Sequence, residues 1–198
     1  MRMKAIRTMG ALSVLLGCAM ASSFAQSGDT KALASLPKQY SATAFGQAGP
    51  VAGKSFEITI YITGWTSNDQ LSADLSVLKE KGPDALVSAM DKHEEVGRLA
   101  PTGYTGISLR FAQIKPTGDG GAHMVLATNR PMAFGELYNQ TRSTDYPFTI
   151  LTLDVDKNGK GTGTLVPVAK VRFDKSGMLE IENFGEQPLR LANVFLQK

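Results

Sequence analysis

Asp154-Val155-Asp156-Lys157-Asn158-Gly159-Lys160-Gly161 is the stretch whose residue types and spacing come nearest to a chemical motif. Side-chain oxygens at Asp154, Asp156 and Asn158 followed by a glycine are how a calcium loop begins, because a hard cation is wrapped by oxygens from a sharply turning chain. The pattern then lapses. Its twelfth position, where a bidentate Glu belongs, is Leu165, and the flanks alternate like strands instead of running as helices. The favoured expectation is a hairpin tip in which Lys157-Asn158-Gly159 forms a three-residue turn with Gly159 left-handed. That register sets Leu151 opposite Leu165, and Leu153 and Val155 opposite Gly163 and Gly161, so apolar meets apolar or small. A calcium-stabilised structural module is the alternative.

The densest polar run is Asn129 to Pro147, with Arg130, Glu136, Tyr138, Asn139, Arg142, Asp145 and Tyr146. A long connection of this composition is more often functional than a short turn. Arginine forks take carboxylates or phosphates, and tyrosines supply rigid contact area, so these seven residues are the candidate binding surface. The opposing reading pairs the two arginines with Glu136 and Asp145 and simply holds the connection shut. Glu136 and Asp145 are also the acid-base pair of an alternative reading, an envelope hydrolase. Trp65, next to a strand end, is a further binding candidate that would stack on a sugar or anchor a partner; the competing reading has it capping the core.

Enzyme chemistry finds little else. His93 lies in the charged run Asp91-Lys92-His93-Glu94-Glu95 and reads as a solvated helix end, while His123 opens a strand. No Gly-x-Ser-x-Gly elbow is present, and the Gly118 to Gly121 run precedes a strand, so it lacks the helix N-terminus that binds phosphate. A non-catalytic binding or interaction module, taking an envelope protein or a small ligand and no cofactor, is the leading expectation.

These residues need elements to position them. From Lys54 to Thr63, Phe56, Ile58, Ile60 and Ile62 alternate with polar residues as in a half-buried strand. Leu71, Leu75 and Leu78 then recur at helical spacing after the cap candidates Thr66 to Asp69, Gly82 stops that helix, and Pro83 starts a second one with Leu86, Val87 and Met90 buried. Beyond Arg98 the period falls to two. Ile107, Leu109 and Phe111 share one face, and strands follow from His123, Phe148, Thr162, Met178 and Leu189. The expected class is α+β and mostly antiparallel β, a sandwich or partly closed barrel, with a helical hairpin inserted after the first core strand. Residues 26–53 read as a flexible leader with one edge strand over Gln39 to Phe45, and 54–198 as a single globular domain.

Residues 1–25 read as a cleaved secretory signal: Arg2, Lys4 and Arg7, an apolar run from Met9 to Ala21, then small residues to Ala25. The expected location is periplasmic or extracellular. Leu15-Leu16-Gly17-Cys18 supports the alternative of a lipid anchor at Cys18. No segment reaches the ~20 apolar residues of a membrane-spanning helix. Of the 21 basic residues the signal holds three, and it holds none of the 18 acidic ones, so the remainder is electrically neutral. That balance argues against nucleic acid as a partner. Cys18 is the single cysteine, which excludes thiol catalysis downstream of the cut.

Thr128-Asn129-Arg130-Pro131, the run Thr141 to Phe148, Asn158-Gly159-Lys160-Gly161 and the stretch Gln187 to Val194 resemble a group of secreted bacterial proteins without an assigned activity. The resemblance covers most of the mature domain. It implies a bacterial envelope setting and brings no catalytic residues with it.

Overall fold

The structure, a computed structural model, describes residues 33–47, 52–132, 145–183 and 188–197. Its elements in chain order are β1 (Lys38–Phe45), β2 (Ser55–Ile62), α1 (Asn68–Lys81), α2 (Pro83–Met90), β3 (Gly97–Pro101), β4 (Ile107–Leu109), β5 (Phe111–Pro116), β6 (Ala122–Thr128), β7 (Phe148–Val155), β8 (Lys160–Phe173), β9 (Leu179–Asn183) and β10 (Leu189–Leu196). The protein is α+β with an antiparallel sheet ordered β4-β3-β2-β1-β10-β8-β7-β6-β5, and β9 branches from β8. The two ends of that path, β4 and β5, are neighbours in the chain with only Arg110 between them, so the sheet is nearly closed into a barrel.

Closure explains Arg110. The even alternation of Ile107, Leu109 and Phe111 predicts one uninterrupted strand, yet β4 must pair with β3 while β5 pairs with β6. Arg110 is the extra residue that permits both, its N–H donating to the Ala127 carbonyl at 3.0 Å. The inward face therefore shifts by one: Leu109 and Ala112 join the barrel core, whereas Phe111 packs on the helical side. A second correction concerns β1. It lies between β2 and β10 in the middle of the sheet, not at an edge, because Tyr40, Ala42 and Ala44 supply an apolar inner face that both neighbours need.

Inside the barrel, Ile58, Ile60 and Ile62 of β2 meet Leu99, Leu109, Met124, Leu126, Leu151, Leu153, Leu165 and Leu191. Each such side chain contributes about 1.5–3 kcal/mol on burial. Ser55, Glu57 and Tyr61 on the outer face of β2 are exposed. A transmembrane barrel has the reverse arrangement, with an apolar outside. Among the described residues, no helix is long and apolar enough to cross a membrane.

Three hairpins use one turn. In Thr117–Gly121, Asp156–Lys160 and Asp174–Met178 the first residue donates its N–H to the carbonyl of the fifth (3.0, 2.8 and 2.9 Å) and accepts from a left-handed glycine at the fourth (3.2, 2.9 and 3.1 Å). The β7–β8 register is the one that a three-residue turn at Lys157-Asn158-Gly159 demands: Leu151 opposes Leu165, Leu153 opposes Gly163, and Val155 opposes Gly161.

The helices form a second layer. Ser67 caps α1 by accepting the Gln70 N–H at 3.1 Å, and Pro83 opens α2. Leu78, Leu86 and Met90 then pack against Phe148, Ile150, Val166, Ala169 and Val171 on the outside of the barrel wall.

An apolar pocket as the candidate functional site

The seam between these layers is incompletely filled. A partly open cavity of about 120 Å³ runs between the helical hairpin and the wall of β5 to β9. Leu71, Asp74, Leu75 and Leu78 of α1 and Leu86 and Met90 of α2 form its roof. Phe111, Val125, Ala127, Phe148 and Ile150 form the floor, and Val171, Leu179 and Ile181 the side toward β9. An enclosed apolar cavity of about 150 Å³ engineered in another protein binds benzene, which sets the size of apolar group that a space of this order takes.

Asp74 is the one titratable residue among these. It occupies an i+3 position from Leu71 on the apolar stripe of α1 and is buried. Burial raises its pKa above the usual carboxylate value, and the neighbouring His93 partly offsets this. Its Oδ1 lies 3.4 Å from His93 Nε2. His93 is thus half-buried against α1, correcting the reading of a solvated helix end; the chain reverses after α2 and brings the ring back onto the first helix. Arg110 Nη1 donates to the His93 carbonyl at 2.6 Å, and Asn129 donates to the Asp91 carboxylate. Arg110 just before β5 and Asn129 just after β6 lie at the same end of this antiparallel pair, so the polar clasp fastens the end of the hairpin to one end of the β5–β6 wall.

The residues singled out by type fall elsewhere. Glu136, Tyr138, Asn139 and Arg142 lie outside the described residues. Arg130 is exposed, and its carbonyl accepts the hydroxyls of Thr128 and Thr149. Asp145 is exposed as well. Tyr146 lies at the β8–β9 arm: burial and then the Glu182 carboxylate, which its hydroxyl meets, raise its pKa, and Lys170 Nζ is 5.8 Å from its ring centre. Trp65 is half-buried against the barrel core and donates its indole N–H to the Ala34 carbonyl at 2.8 Å.

Around the proposed calcium loop the oxygens have other partners. Asp156 Oδ1 accepts the N–H groups of Asn158 (2.8 Å) and Lys160 (2.9 Å), which lowers its pKa, the Lys160 bond most. Asp154 Oδ1 lies 2.6 Å from His123 Nδ1 across the β6–β7 ladder. Among the described residues no three His, Cys, Asp or Glu side chains gather as a metal site.

The pocket itself escapes a search for reactive residue types because its walls are the same leucines and phenylalanines that build a core. Asp74 on the stripe Leu71, Leu75, Leu78 was the local signal. No family model, curated protein or solved structure matches this chain.

Proposed function

We propose that the protein is an exported, non-catalytic binding module and that it captures a small apolar group in the pocket beneath the helical hairpin. One observation carries this reading: the barrel interior is lined by buried apolar side chains, while the adjoining layer leaves an apolar cavity open to solvent. An open apolar cavity costs packing free energy that an occupant restores, and such cavities are where ligands bind. The walls favour binding over turnover, since they offer no nucleophile and a single carboxyl already paired with His93. The signal-like N-terminus supports export to the periplasm or beyond.

Benzene and indole are suitable probes. Saturating benzene is expected to raise the melting temperature of the wild type, and calorimetry to give one site per chain. Ala127→Phe, which fills the floor from β6, should abolish both responses without lowering the melting temperature of the free protein; Val125→Phe repeats the test from the same strand. A wild type that binds neither probe refutes the pocket as a site.

A further inference from the structure

We infer that the pocket takes a compact apolar body carrying one ammonium group, an arylalkylamine in chemical class, and that Asp74 is the residue that receives the cation. The inference rests on the pocket reading above and names the ligand class for that same site.

Leu71, Asp74, Leu75 and Leu78 line the cavity from α1 at the i, i+3, i+4, i+7 spacing of one helix face. Every other described residue that lines it is apolar. A fourth leucine would complete the roof, so a buried carboxyl at this position costs free energy that packing does not return. Ligand pockets share this composition, with apolar walls for affinity and a few placed polar groups that orient what enters.

The carboxyl has acceptor capacity beyond its structural contact. That contact runs from Oδ1 to His93 Nε2 at 3.4 Å, longer than the ~2.7–3.2 Å of an ordinary N–H···O hydrogen bond. A carboxylate offers about four acceptor positions on its two oxygens. Burial raises the Asp74 pKa and His93 offsets part of that rise, the mark of a carboxylate short of the solvation that water gives. Charge then decides what an occupant carries. A wholly apolar group displaces water from the roof and offers the carboxylate nothing in its place, and an anion adds repulsion. An ammonium group donates charge-assisted hydrogen bonds to Asp74 while its apolar body meets Met90, Phe111 and Phe148.

The test is an NMR titration of the full chain at pH 7 with benzylamine, toluene and phenylacetate, which share a ring and differ in charge. Benzylamine is expected to bind at least about ten-fold tighter than toluene, the scale of a hydrogen bond to a charged group, and phenylacetate more weakly than either. Asp74→Asn keeps the shape of the side chain and should bring benzylamine down to the affinity of toluene or below. Ala127→Phe should abolish benzylamine binding, which separates the pocket from carboxylates on the surface. Toluene or phenylacetate binding to wild type as tightly as benzylamine overturns the inference without recourse to a variant. A preference for the amine that survives Asp74→Asn, or amine binding that survives Ala127→Phe, overturns it as well. The benzene melting assay run alongside separates the two readings: a benzene response without a preference for the amine removes the role of Asp74 and leaves the pocket, whereas no response to benzene, toluene or benzylamine removes both.

Discussion

Asp74 shows how one residue records a compromise between packing and polarity. It takes a leucine-like position on the buried stripe of α1, and burial raises its pKa more than His93 lowers it. A carboxyl whose pKa is higher folded than unfolded stabilises the fold when protonated. That contribution is complete below the unfolded value near 3.8 and is lost as pH climbs through the raised folded value. Asp74→Asn keeps the shape and removes the titration. The expected outcome is a variant that melts higher than wild type at pH 7 and converges on it at pH 3, in parallel thermal melts. A variant less stable at pH 7 would show instead that the Asp74 carboxylate, held beside His93, ties the hairpin down and outweighs the cost of burial.

At the scale of elements, the β7–β8 hairpin depends on the absence of side chains as much as on their presence. A Cβ on Gly161 would stand 1.8 Å from the Asp154 carbonyl oxygen, so Gly161→Ala has to part the two strands. The expected loss is about 3 kcal/mol in urea unfolding, at the upper end for overpacking. Gly118→Ala, with open space around it, should change stability by no more than about 0.5 kcal/mol. Elements of this sort were legible locally: the turn glycine, the opposed Gly161 and Gly163, the Ser67 to Asp69 caps and the leucine spacing of α1 all announce themselves. β3 did not, because Gly97-Arg98-Leu99-Ala100-Pro101 carries one large apolar side chain and is a strand only because β2 and β4 flank it. The Arg110 shift was hidden for the same reason, since a strand that serves both edges of a sheet is defined by partners far away in the chain. The pocket is non-local too. Phe111, Phe148 and Leu179 share it without any spacing that relates them, whereas the polar run around Arg130 drew notice by composition alone.

The described molecule is a nearly closed barrel with a buried apolar core and a second layer of helices, and the two should differ in how they open. Strands β1, β2, β3, β6, β7, β8 and β10 each have ladder partners on both sides, while α1 and α2 meet the wall across a cavity and a few polar ties. Local opening free energies follow such differences in buried contact. The helical hairpin is therefore expected to exchange its amide hydrogens through a sub-global opening well below the free energy at which β1, β2 and β10 exchange. Leu78→Ala provides the decisive variant, because Leu78 is buried solely in the interlayer cluster. Large-to-small changes at such sites cost about 2–5 kcal/mol. If the layers open independently, that loss lowers protection across Asn68–Lys81 and Pro83–Met90 and leaves the amides of β1 and β10 nearly unchanged. Equal loss in helices and barrel would mean a single cooperative unit, and a site between the layers would then have to admit its ligand without the hairpin lifting away.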